Sequence, residues 1–231
     1  MDDKYIKGKK LNSLKYPTEL KCPVVILLDT SNSMAGERIN SLNSGVNLLI
    51  NTLKTDEIAH KRVELSIVSF NSVVDVIQDF AVVDDIDPVE LNASGSTSMG
   101  EAILKGIDLI SKRKEIYKSN GIDYNMPVIW LITDGEPTDM VPNDDMWKNV
   151  VKLIHEGESR REFTFLATYF EGADISTLAE ISIREPVKLN GINFKDVFLW
   201  LCDYSVIFSY SSINDIILSP PDEWGTIDPD K

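Results

Sequence analysis

The sequence predicts an α/β fold: a doubly wound, mostly parallel sheet with helices on both faces and one antiparallel strand at an edge. Three observations predict it. Two runs, CPVVILL at residues 22–28 and PVIWLIT at 127–133, are apolar at consecutive positions, as strands covered on both faces are. Stretches whose apolar residues step by three and four alternate with the strand-like runs, and that alternation builds parallel sheets. Both runs lead into an aspartate, Asp29 and Asp134, which puts charged side chains where open α/β sheets carry their sites.

Residues 1–20 are polar and lysine-rich, and the first strand follows at 22–28. Across 36–53, Ile39, Leu42, Val46, Leu49 and Leu53 make one helical face. Val63, Leu65 and Ile67 alternate with Glu64 and Ser66, which predicts a second strand ending near Phe70. Asn71-Ser72 breaks that run, and residues 73–80 read as its hairpin partner, the antiparallel edge strand. Residues 102–117 are helical with Ile103, Ile107 and Ile110 inward, and 127–133 form the next buried strand. Trp147, Val150, Val151 and Ile154 mark a helix, residues 163–170 a strand, and Ile175, Leu178 and Ile181 a short helix. A brief strand around Val187 and Leu189 precedes a last helix marked by Phe194, Val197, Phe198 and Leu201. Past Ser205 the pattern gives way to Ser, Pro and Asp. The division is an N-terminal extension over 1–20, one domain over 21–205 and an acidic, proline-containing tail over 206–231.

A chain of 231 residues is long enough to bury roughly 70% of its unfolded surface in one domain. Its 23 Lys plus Arg against 37 Asp plus Glu leave a formal charge of −14. That balance argues against nucleic acid and anionic membranes, whose phosphates call for clustered Lys and Arg. A basic partner, or an acidic one bridged by a cation, fits better. No apolar run approaches the ~20 residues that span a bilayer, and the opening MDDKYIK has no apolar signal region. A cytoplasmic location is expected. The two cysteines, Cys22 and Cys202, lack the CxxC spacing of a zinc framework and are expected as isolated buried thiols.

Three segments bring chemistry to one edge of this sheet: Asp29-Thr30-Ser31-Asn32-Ser33, Gly95-Ser96-Thr97-Ser98 and Thr133-Asp134-Gly135. Each alone is an ordinary turn or helix cap. Together they assemble two aspartates and three hydroxyls, an all-oxygen set that suits a hard divalent cation, Mg²⁺, Mn²⁺ or Ca²⁺, rather than zinc. Ser31 and Ser33 are expected to ligate directly, Asp29 to ligate or hold bound water, and Thr97 and Asp134 to alternate between direct and water-mediated contact. A sixth position stays open for an acidic oxygen from outside. Without a cation, carboxylates about 6 Å apart would repel by roughly 3 kcal/mol at an effective dielectric near 20.

The stretches VVILLDTSNSM (24–34), ASGSTSMGEAI (93–103) and WLITDGEPTD (130–139) resemble a von Willebrand factor type A (VWA) domain. Its metal-ion-dependent adhesion site combines Asp-x-Ser-x-Ser, a threonine in a second loop and an aspartate in a third. The resemblance falls on Asp29, Ser31, Ser33, Thr97 and Asp134. The flanking residues, with the late NFKDVFLWL (193–201), resemble the bacterial tellurium-resistance (TerY-type) subfamily, in which Asn32 stands where glycine is frequent. Asparagine tolerates left-handed backbone, so the turn is expected to survive. The resemblance implies a non-enzymatic adaptor that takes a Glu or Asp from a partner protein. It further implies a bacterial stress-response or defence module that includes a kinase and a phosphatase.

The alternative is a metal-dependent phosphatase or hydrolase with Asp29 as nucleophile. Dehalogenase-like enzymes carry a second Asp where this chain has Ser31. No Gly-x-Ser-x-Gly elbow and no phosphate-binding GxxxxGK[ST] loop occurs, and His60 and His155 read as surface or packing residues. Trp130, Trp147 and Trp200 fall in core-patterned segments, which leaves Trp224 in the tail as a partner anchor.

Overall fold

Every residue of the first strand, β1 (Cys22–Asp29), is buried, and the sheet extends from it in both directions. The computed structural model describes residues 14–173 and 175–189. The other strands are β2 (Val63–Phe70), β3 (Val74–Val82), β4 (Val128–Thr133), β5 (Thr164–Tyr169) and β6 (Val187–Lys188). The helices are α1 (Glu37–Thr55), α2 (Ala59–Arg62), α3 (Met99–Asn120), α4 (Asp145–Ser159) and α5 (Ile175–Ile181). The sheet order is β3-β2-β1-β4-β5-β6. All neighbours pair in parallel except β2 with β3, so the antiparallel strand is at an edge as expected.

Alternate residues of β1 serve two cores. Val24, Ile26 and Leu28 join Leu42, Val46 and Leu49 of α1, with Trp130 and Ile132 of β4 beside them. Val25 and Leu27 join Ile103 and Ile110 of α3 and Trp147, Val150 and Ile154 of α4. Each such side chain contributes about 1.5–3 kcal/mol on full burial, so a strand apolar throughout needs helices on both faces. Gly157 lets α4 close on Phe163, the residue before β5: a Cβ there would run into its ring, itself only 3% exposed. Gly157→Ala is therefore expected to cost about 1–3 kcal/mol by urea unfolding; an unchanged midpoint would mean that the ring moves aside freely.

Local chemistry sets the ends. The side chain of Asp144 accepts from the Trp147 and Val141 amides and starts α4. Those backbone N–H bonds, the Trp147 bond foremost, hold its carboxyl below the usual aspartate range. Gly121, at φ 64°, ends α3 in the left-handed region.

Several elements differ from the sequence reading. The helix expected over 102–117 runs from Met99 to Asn120, because Asp139 caps its first turn from another loop. The hairpin partner runs from Val74 to Val82, with register shifts opposite Leu65–Val68. The short α2 was not anticipated; His60 sits in it, with Nδ1 3.2 Å from Asp84 Oδ2 and its ring edge-on to Tyr16. Asn32 begins a 3₁₀ turn and takes no left-handed backbone; the positive φ falls on Gly36, at 83°, four residues later. Cys22, Trp130 and Trp147 are buried. The expected helix over 194–201, Trp200, Cys202, Trp224, the tail over 206–231 and residues 1–13 of the N-terminal extension lie outside the described residues.

Glu64 departs most from its pattern. Its alternation with Val63 and Leu65 is that of a strand with one wet face, yet it is 0% exposed. Arg113 and Tyr117 of α3 reach it: Arg113 donates from Nε at 2.7 Å and from Nη2, and Tyr117 donates its hydroxyl at 2.6 Å, all to Oε2. The ammonium of buried Lys21 lies 3.6 Å from Oε1 and donates to the Lys15 and Lys61 carbonyls. Burial lowers the Lys21 pKa, and the Glu64 charge opposes that shift. β2 is thus covered on both faces, by apolar residues over most of its length and by an ion cluster near its start.

Candidate metal centre

In the observed strand order the winding reverses between β1 and β4. β1 ends on Asp29, and Asp134 follows β4 directly. Residues 94–98 form the third wall. The Asn32 amide donates to the Gly95 carbonyl at 3.0 Å, and the Ser94 amide to the Thr30 carbonyl at 2.8 Å. Gly95 needs its φ of 75° here, and a Cβ would lie 2.5 Å from Ser72 Oγ. Thr97 is clasped by Thr138, which accepts from the Thr97 amide through Oγ1 at 2.9 Å and returns its own amide to the Thr97 carbonyl at 2.8 Å. Asp139 accepts from the Gly100 and Glu101 amides at 3.1 and 2.8 Å. Main-chain and side-chain bonds thereby lock the second and third loops together.

Four of the five expected ligands are joined by hydrogen bonds. Asp29 Oδ1 accepts from the Ser31 amide at 2.8 Å. The Ser31 and Ser33 hydroxyls lie 2.9 Å apart, and Ser33 Oγ donates to Asp134 Oδ1 at 2.7 Å. Thr97 is the fifth. A Cβ placed on Gly135 would meet Ser33 Oγ at 3.5 Å and Thr97 Oγ1 at 4.0 Å, so the two hydroxyls flank the same bare backbone. Asp29, Ser31, Thr97 and Asp134 are buried, and Ser33 is exposed at the mouth.

Burial, foremost, raises the Asp29 pKa; hydrogen bonds from Ser31 and Thr133 pull it down, and the charge of Asp134 adds to the rise. The Thr133 hydroxyl donates to Asp29 Oδ2 at 2.5 Å, so both oxygens of Asp29 are engaged within the protein. Asp134 pairs through Oδ2 with Arg38 Nη1.

The donor set fits a hard cation: two carboxylates and three hydroxyls around a cradle that any side chain at Gly135 would fill. Among the described residues no three His, Cys, Asp or Glu side chains cluster as a metal site. Thr133, Thr138, Asp139 and Arg38 were missed as site residues. Thr133, Thr138 and Asp139 all lie in the stretch WLITDGEPTD (130–139), whereas Arg38 carries no local signal.

A sequence profile described as the von Willebrand factor type A domain matches residues 24–195, a span that includes all three loops. The chain belongs to the von Willebrand factor type A family. No curated protein matches it. Among solved structures the VWA domain is similar to the PilB minor pilin from Streptococcus sanguinis, at 14% identity and a TM-score of 0.50, covering 82% of this chain and 61% of the pilin. It is also similar to BatB from Bacteroides thetaiotaomicron, at 14% identity and a TM-score of 0.49, covering 79% and 98% of the two chains. Proximal thread matrix protein 1 of the mussel byssus matches at 17% identity and a TM-score of 0.48, over 80% of this chain and 47% of that one; a further structure of it is described with a zinc-occupied MIDAS motif. The chain thus spans about half the length of the byssus protein and about three fifths of the pilin. VWA domains commonly act as metal-dependent protein-interaction modules. No helix among the described residues is long and apolar enough to cross a membrane.

Proposed function

We propose that this VWA domain is a metal-dependent adaptor in which a divalent cation takes a Glu or Asp side chain from a partner protein. Ser31, Ser33, Thr97 and Asp134 would hold the cation, Mg²⁺ or another hard ion such as Mn²⁺ or Ca²⁺, with Asp29 behind them. When bound, the cation supplies a positive bridge between an acidic domain and an acidic partner. The observation that carries this reading is the hydrogen-bonded chain from Asp29 through Ser31 and Ser33 to Asp134, buried at one end and open to solvent at Ser33.

Apolar residues on the same edge support a protein partner. Val73 precedes β3, Val141 lies between β4 and α4, and Ile175 opens α5; they are 58%, 60% and 46% exposed. A hydrolytic role for Asp29 is disfavoured by its geometry: a nucleophile has to reach its substrate, and this carboxylate is 0% exposed with both oxygens engaged. The TerY-like flanking residues point to a bacterial stress-response module such as tellurium resistance. There the partners include the module's kinase and phosphatase, in the cytoplasm.

Affinity capture from lysate of the source organism, with Mg²⁺ or with chelator, tests this. A partner is expected to be retained by wild type with Mg²⁺ and lost with chelator or in Asp134→Ala. Val141→Asp is expected to weaken retention while leaving cation binding intact. Retention indifferent to both cation and Asp134 would refute the adaptor reading.

A further inference from the structure

Arg38 belongs to the first turn of α1, yet its side chain turns to the metal centre. Nη1 pairs with Asp134 Oδ2 and donates to the Ser33 carbonyl at 3.1 Å, and Nη2 donates to the Glu171 carbonyl at 2.9 Å. One guanidinium thus joins the loops that follow β1, β4 and β5. The turn after β5 is fitted to it: Gly172 has a φ of 91°, and a Cβ there would lie 3.4 Å from Nη2. The arginine side chain is 39% exposed, whereas the Asp134 carboxylate it covers is 0% exposed.

The two oxygens of Asp134 are therefore held by different kinds of donor. Oδ1 takes the Ser33 hydroxyl, which can turn its proton aside and offer a lone pair to a cation. Oδ2 takes a guanidinium, which has five N–H donors, no lone pair and no accessible neutral form. A divalent cation that draws on Asp134 meets a like charge on the same carboxylate. Arg38 can neither ligate the cation nor lose its own charge, so the two like charges compete for one carboxylate. The same side chain holds the Glu171 carbonyl, so a displacement of Arg38 would break that bond too.

We infer that Arg38 competes with the divalent cation for Asp134, and that cation loading thereby releases the turn at Glu171–Gly172. The inference rests on the metal reading of the site and adds to it a residue that sets cation affinity and a loop that reports occupancy. The arginine end of this pair is open to solvent, which screens it, so removing the competitor should have a measurable and limited effect.

Calorimetric titration of Mn²⁺ into wild type and Arg38→Gln tests the first half. Arg38→Gln is expected to bind Mn²⁺ about two- to fivefold more tightly. Hydrogen exchange tests the second half: in wild type, Mn²⁺ is expected to speed exchange over residues 170–173, and in Arg38→Gln that segment is expected to exchange fast with or without it. A melting curve in chelator establishes that the variant is folded. Equal or weaker Mn²⁺ binding by Arg38→Gln, or slower exchange over 170–173 in loaded wild type, overturns the inference and leaves the metal reading standing. Failure of both proteins to bind Mn²⁺ overturns the two together.

Discussion

Saturating Mg²⁺ or Mn²⁺, at about a hundred times Kd, is expected to stabilise the wild-type domain by roughly 2.7 kcal/mol and to raise its melting temperature by about 5–10 °C. Asp29→Ala and Asp134→Ala are expected to lose that shift and remain folded. Each variant is to be compared with itself, in cation and in chelator. Removing Asp29 orphans the Ser31 amide and the Thr133 hydroxyl, which alone costs about 1–3 kcal/mol. Removing Asp134 frees Ser33 and Arg38 at a partly open mouth, where water replaces the lost partner. Unfolding of both variants in chelator would make these aspartates supports of the fold rather than cation holders. A shift with zinc and none with Mg²⁺, Mn²⁺ or Ca²⁺ would overturn the hard-cation reading.

Glu64→Ala is expected to cost about 3–5 kcal/mol, a fall in melting temperature of roughly 6–20 °C. The carboxylate accepts from Arg113 and Tyr117 and faces the Lys21 ammonium, and all four residues are at most 3% exposed. Truncation takes away the anion that both cations face, in a place water reaches poorly. Urea unfolding measures the loss, and a change below 1 kcal/mol would show that solvent reaches the cluster. The site lies far from this network in the fold: Glu64 is near the start of β2, whereas the metal centre is at the carboxyl ends of β1 and β4. Cation binding by Glu64→Ala below its lowered melting point is therefore expected to match wild type.

Much of the architecture was legible because its signals are local. The run at 22–28 is apolar at every position, and the strand there is buried at every position. The period through Ile39, Leu42, Val46 and Leu49 is the buried face of α1. The three polar segments announce themselves because Asp, Ser, Thr and Gly are unusual directly after buried strands. Ends were less legible where a cap came from elsewhere: α3 begins three residues before its apolar pattern because Asp139, 38 and 39 residues further along the chain from the amides it accepts, holds the first turn. The alternation of Glu64 with Val63 and Leu65 marks the strand but not its burial, since nothing within β2 tells that Arg113 will cover it.

The α/β class, the antiparallel edge and the three loops that carry Asp29, Ser31, Ser33, Thr97 and Asp134 can be read from the chain alone, because periodicity and turn chemistry are properties of residues close along it. The folded chain is needed to see that Thr133 binds Asp29 across 104 residues, that Arg38 covers Asp134 across 96, and that Glu64 is a buried anion paired with Arg113 across 49. Those contacts depend on how β1, β4 and the helices stack, and the free energy of a long-range charge or hydrogen bond is set by the burial that stacking creates.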